Sequence, residues 1–151
     1  MRAAQRSAHV TRPPDIYIQD TLSAKGRGVF AGRDFATDDL VEVCPVAVCG
    51  SKRAGVPLPL RRYLFDWGSL AHVEQSCCLV LGYGSMYNHD NPANLRYEAD
   101  APSLAMRFIA VRAIRAGEEL TINYNAIEGE HESTVNHWFL AMQVPPLTEG
   151  R

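Results

Sequence analysis

No apolar stretch of this chain runs far before Gly, Pro or Asp interrupts it, and the pieces between are rich in Val, Ile and aromatic residues. That punctuation suits many short strands rather than a few long helices. Strands are expected near 15–20, 28–32, 39–48, 77–82, 94–98, 104–112 and 119–123. Two helices are expected beside them, one at about 58–67, where Leu60, Leu64 and Trp67 can share a face, and one near 131–141. The fold class is therefore mostly β with short helices. Two segments, "FAGRDFATDDL" and "IAVRAIRAGEEL", both run strand, Arg, apolar residue, turn, acidic pair, strand. Two such copies do not make a solenoid, and units of this kind also arise by chance.

A length of 151 residues is that of one ordinary domain with a real core. The Arg-rich start, "MRAAQRSAHVTRPPD", weakly resembles an organelle transit peptide but lacks a secretory apolar centre. The expected organisation is a flexible tail at 1–14, a domain at 15–141 and a C-terminal tail at 142–151. With 46% hydrophobic and 21% charged residues and no run of membrane-spanning length, a soluble protein without membrane contact is expected. A net charge of −2 lacks the basic surplus that drives phosphate-backbone binding, so no direct nucleic-acid contact is expected. Cys44 and Cys49 would lie on opposite faces of a strand, Cys77 and Cys78 are adjacent, and neither pair has zinc-finger spacing. Four reduced, mostly buried thiols in a cytoplasmic protein, nuclear if the source is eukaryotic, are expected.

Three stretches carry the chemistry. In "KGRGVFA", residues 25–31, Gly26 and Gly28 flank one side chain and lead into a strand. Paired glycines allow close backbone approach to a ligand, although the same pattern also makes an ordinary bulge or turn. In "GYGSMYNHDNPAN", an apolar run ends in two glycines, two tyrosines and the pair Asn88-His89, more special backbone and amide than a surface turn needs. In "GEELTINY", a turn leads into an alternating strand that ends on Tyr124. A metal hydrolase built from His89, Asp90, His131 and Glu132 is weighed and set aside, because Val135 stands where a zincin helix needs its second histidine. No metal is expected.

In order and spacing these stretches resemble the SET-domain family of protein lysine methyltransferases, closest to its compact stand-alone microbial and viral members. The matching residues are Gly26-Arg27-Gly28, Asn88-His89 with Asn94, and Glu119-Leu120-Thr121-Ile122-Asn123-Tyr124. The resemblance covers roughly residues 15 to 140. It implies a β-clip-like SET fold of several small curved sheets with a C-terminal pseudoknot, which brings the second and third stretches together. It also implies S-adenosyl-L-methionine as cofactor and a basic, lysine-presenting protein such as a histone-like or ribosomal protein as substrate, with a homodimer compatible. Lys25, Gly26, Arg27 and Gly28 would meet the methionine end of the cofactor, Asn88 would hold it, and His89 would meet the adenine through its backbone. Trp138 matches the aromatic that packs on adenine, yet with Phe139 and Met142 it also reads as the buried stripe of an amphipathic helix, and both readings stand open. Tyr124 matches the catalytic tyrosine at the inner end of a substrate channel that Tyr63 and Tyr87 would help to line.

Removing the proton from a lysine of pKa about 10.4 at about pH 7 costs roughly 4.6 kcal/mol. A sulfonium about 4 Å away, at an effective dielectric of about 20, repels the ammonium by about 4 kcal/mol. No obligatory base is therefore expected, and His89 is expected to be structural. The chain departs from the family pattern at Ser85-Met86, where Arg-Phe is common, and at Pro92, shifted by one, and no cysteine cluster follows Cys78. A noncatalytic SET-like module that binds peptide or cofactor is the alternative, against which Tyr124 argues. Glu128, Glu130 and Glu132 read as an attractor for a basic peptide or as a solvated face.

Overall fold

A computed structural model describes residues 14–50, 55–127, 129 and 137–138. β1 (Ile16–Asp20) and β2 (Arg27–Ala31) form a hairpin; β3 (Leu40–Cys49), α1 (Leu58–Arg61), β4 (Leu64–Phe65) and α2 (Trp67–Ala71) follow. β5 (Cys77–Val80), a 3-10 turn (Gly84–Met86) and β6 (Asn88–His89) lead into β7 (Leu95–Asp100), β8 (Ala105–Ala110) and β9 (Glu119–Ile122). Hydrogen-bonded neighbours run β1-β2-β9-β7-β8-β3-β5-β4, with β6 also pairing with β9. The mostly β expectation holds, and each of the seven expected strands is present within two residues of its expected ends. No helix among the described residues is long and apolar enough to cross a membrane.

The helix expected at 58–67 is corrected. The chain makes one turn as α1, leaves the helical path so that Leu64 and Phe65 pair with Leu79 and Cys78, and restarts as α2. Asp66 causes the restart by accepting the Ser69 N–H at 3.1 Å as an N-cap. Leu64 and Trp67 are buried but Leu60 is exposed, so the three share no face. A helix this short gains too little from its own hydrogen bonds to outweigh strand pairing. Of the helix expected at 131–141, the helical His137 and Trp138 are described and the rest lies outside the described residues. The same holds for both tails apart from Pro14, and for Glu128, Glu130, His131, Glu132, Phe139 and Met142.

The core sits between β2, β7, β8 and β9. Phe108 is its centre, fully buried, with the rings of Tyr87, Tyr97 and Phe65 at 4.7, 6.1 and 6.5 Å. Cys44, Cys77 and Cys78 are buried, Cys49 is half-buried, and none forms a disulfide. Burial pushes the Cys78 thiol up to about 12, so it packs as a small apolar group.

The two similar segments pack against each other through equivalent bonds. Phe35 and Ile114 exchange backbone hydrogen bonds at 2.8 and 2.9 Å. Asp39 accepts from Arg33 and from the Ala36 N–H, and Glu118 accepts in the same way from Arg112 and the Arg115 N–H. Each acidic residue thus closes its own turn and holds the arginine that precedes it. The two turns deliver β3 and β9 to the sheet.

β9 is flanked on one side by β2 and on the other by β6 and the start of β7, in parallel registers only one or two residues long. Asn94 supplies what such short ladders lack. Its amide donates to the Glu119 carbonyl at 2.8 Å and accepts the Thr121 N–H at 2.8 Å, and the side chain is buried. Asn94→Ala leaves two backbone groups of β9 without partners and is expected to destabilise the fold by about 2–4 kcal/mol, read by urea denaturation.

Candidate active site

The three chemistry-bearing stretches meet around β9. Asn88 and His89 pair with Thr121 and Ile122, and Val29 and Phe30 of the glycine-led strand pair with Leu120 and Glu119 on the opposite edge. Asn88 spans the gap: its amide donates to the Arg27 carbonyl at 3.1 Å and to the Glu119 carboxylate at 2.8 Å. Gly28 is required by this approach, since a Cβ there would stand 2.5 Å from Glu119 Oε1 and 3.0 Å from Asn88 Nδ2. Gly26 is required by its backbone, at φ +74°, while the space beside it is open. Lys25 is half-buried in the same turn, and its charge reaches His89.

Tyr124 follows β9 and is fastened at both ends. Its backbone N–H donates to His89 Nδ1 at 3.1 Å, and its hydroxyl donates to the Tyr87 carbonyl at 2.8 Å. The His89 ring lies 5.2 Å from the Tyr124 ring, and the Trp138 ring lies 4.4 Å from it. Burial, reinforced by Tyr63 and opposed by Arg62, pushes the Tyr124 phenol well above its ordinary value, so it remains a donor. A cavity of about 180 Å³ opens beside this phenol, with Phe65, Tyr87, Tyr97, Tyr124 and Trp138 as aromatic walls and Arg62 and Asp66 as charged ones. A larger cavity of about 380 Å³ is lined by Asp90, Asn94, Arg112, Glu119 and Thr121 among others; it touches residues of the second and third motifs but none of those expected to be catalytic, to bind cofactor or to line the channel.

Tyr63 stands near Tyr124 but is not among the described residues that line the aromatic cavity; its carbonyl accepts the Ser85 hydroxyl at 2.9 Å. Tyr87 does line the cavity, yet its own hydroxyl is buried against Glu42 at 2.7 Å. Trp138 is half-buried, and its backbone N–H donates to Asn125 Oδ1 at 2.8 Å. Sequence reasoning missed Glu119 as the partner of Asn88, Ser85 as a tie between β5 and Tyr63, and Phe65 and Tyr97 as cavity walls. Glu119 lay inside a quoted motif; for the others no local pattern distinguishes them from ordinary core and loop residues.

Because Nδ1 accepts the Tyr124 N–H, His89 carries its proton on Nε2 and is neutral in this arrangement. Burial lowers its pKa, with Lys25 adding to the effect and Asp90 opposing it. The unfolded chain, with a histidine pKa of about 6.5, therefore takes up the proton first on acidification. The stability that neutral His89 contributes is present above that value and lost as pH falls through the lower folded value. His89→Asn, whose Oδ1 can replace Nδ1 as acceptor, is expected to flatten the fall in unfolding free energy between about pH 7 and 5, measured by urea titration at each pH.

Comparison with known proteins agrees with this geometry. The SET domain family model matches residues 26–125. A histone-lysine N-methyltransferase of Schizosaccharomyces pombe, H3 lysine-37 specific, is 33% identical over 125 residues, covering 81% of this chain and 78% of that protein. Among solved structures, a candidate histone methyltransferase of Plasmodium falciparum superposes with a TM-score of 0.59 at 27% identity, over 72% of this chain and 91% of that one. The SET8 protein of Cryptosporidium superposes with a TM-score of 0.56 at 20% identity, over 76% of this chain and 59% of that one, and bears on the fold alone. With a match that runs from the glycine turn to the residue after Tyr124, and a relative one third identical across most of both chains, this chain belongs to the SET-domain family and is a protein-lysine methyltransferase.

Proposed function

We propose that the chain transfers a methyl group from S-adenosyl-L-methionine to the neutral amine of a lysine in a basic, histone-like protein, with Tyr124 as the catalytic residue. The observation that carries the reading is the Tyr124 hydroxyl, kept protonated by burial and oriented by the Tyr87 carbonyl at the wall of an aromatic cavity. The residues present suit the cofactor. The space beside Gly26 is open, the Asn88 amide is only half-buried, and Lys25 and Arg27 stand in the same turn to meet a carboxylate. When bound, the cofactor supplies the electrophilic methyl and a positive charge.

The protein's part is to align and to exclude water. Aromatic walls accept the alkyl stem of a lysine while offering no anion to stabilise its ammonium, apart from Asp66, whose carboxylate also caps α2. Arg62 in the same wall favours the neutral amine. His89 is committed through Nδ1 and is not a proton acceptor in the reaction. The histone specificity of the Schizosaccharomyces pombe relative supports a histone-like substrate, met in the cytoplasm or, in a eukaryote, in the nucleus.

The test is incubation with labelled S-adenosyl-L-methionine and core histones or ribosomal proteins, comparing wild type with Tyr124→Phe. Label transfer by wild type is expected, and a loss of about a hundredfold in the variant with cofactor affinity retained. Its pH profile should lack a limb that depends on a deprotonated imidazole. Cofactor binding without transfer to any protein offered would favour a binding module, and absence of cofactor binding would end the reading.

A further inference from the structure

Glu42 lies on β3, a strand that carries none of the residues assigned above, and it is only 5% exposed. Among the described residues no ion pair includes it. A carboxylate taken out of water needs strong donors in place of solvent. Glu42 finds them on one loop. Oε1 accepts the Tyr83 N–H at 3.0 Å, and Oε2 accepts the Tyr87 hydroxyl at 2.7 Å. The Cys44 thiol lies close by, its pKa raised by burial and then by the Glu42 carboxylate. An apolar residue in its place would leave the Tyr83 N–H and the Tyr87 hydroxyl without this acceptor. Nor would it fix the position of two residues in the loop that leads to Asn88.

Tyr87 is the link. Its side chain is 1% exposed and ends on Glu42, while its carbonyl accepts the Tyr124 hydroxyl at 2.8 Å. The peptide between Tyr87 and Asn88 is thus anchored at one end by Glu42 and at the other by the pairing of β6 with β9. Ser85 steadies the turn before it, accepting the Val80 N–H at 3.1 Å and donating to the Tyr63 carbonyl at 2.9 Å. Rotation of that one peptide would move the acceptor away from the Tyr124 hydroxyl with little change to the rest of the core.

We propose that Glu42 is a positioning residue for methyl transfer, acting through the Tyr87 side chain to hold the carbonyl that orients the Tyr124 hydroxyl. This rests on the reading of Tyr124 as catalytic. Two isosteric variants test it: Glu42→Gln, whose amide can accept from only one of the two donors, and Tyr87→Phe, which removes one hydroxyl. Steady-state methylation of core histones gives kcat and KM, and calorimetry gives affinity for S-adenosyl-L-methionine. NMR of protein labelled at the tyrosine Cζ, with Tyr124→Phe for assignment and Tyr17 as a remote reference, reads the Tyr124 hydroxyl directly. Both variants are expected to lose about tenfold to a hundredfold in kcat with KM and cofactor affinity within about twofold, and to shift the Tyr124 signal but not that of Tyr17. Folded variants with unchanged kcat and an unmoved Tyr124 signal would overturn the proposal, and if one variant fails to fold the other decides. Should wild type methylate no protein offered, the functional reading fails while the NMR signal alone still decides whether Glu42 positions Tyr124.

Discussion

The arrangement depends on one weak ladder, the parallel pairing of β6 with β9. Asn88 and His89 meet Thr121 and Ile122 over just two residues, a contact far too short to hold by backbone bonds alone. Amide side chains complete it. Asn94 takes the backbone groups of Glu119 and Thr121, Asn88 takes the Glu119 carboxylate and the Arg27 carbonyl, and the buried Asn123 donates to Asn91 at 3.3 Å. An amide carries donor and acceptor together, so each can act in place of a missing strand partner without bringing a charge into the core.

This stitching dictates the chemistry at Tyr124. Once β6 lies beside β9, the residue after Asn88 and the residue before it both face Tyr124, one through an imidazole nitrogen and one through a carbonyl. The imidazole lone pair is spent on a backbone N–H and is no longer free to take a proton from substrate. The phenol, for its part, has a fixed acceptor and a buried setting, which keeps it neutral and directed. A neutral, oriented donor beside an aromatic cavity suits a reaction in which alignment carries more of the rate than proton transfer.

How far the sequence could be read follows from the range of each interaction. β3, β7, β8 and β9 were legible because runs of Val, Ile, Leu and aromatic residues between turn formers report burial within a few positions. α1 and α2 were not legible as separate pieces, because the pairing of Leu64 with Leu79 that divides them is a contact across the fold. β4 and β6, two residues each, leave no period to detect. The motifs pointed to Gly28 and Asn88, and the packing adds a reason at Gly28 that no local pattern carries: a side chain there would meet Glu119, Thr21 and Asn88. Glu42 was invisible, because a Glu between valines reads as the polar side of an ordinary strand.

The similarity of the two strand-turn-strand units explains how two carboxylates reach adjacent residues. Each unit closes on an acidic residue, Asp39 or Glu118, and each then enters a strand. In the second unit the strand pairs regularly, Phe30 with Glu119 and Val29 with Leu120, so the residue after the turn presents its carboxylate to Asn88. In the first unit the register shifts between Leu40 and Glu42, a bulge that breaks the correspondence. Leu40 is left exposed, and the carboxylate enters two positions later, at Glu42, buried beneath Tyr87. One frame used twice, with a single register shift in one copy, thereby grips Tyr87 from one side and Asn88 from the other, and the peptide joining them is the one that offers its carbonyl to Tyr124.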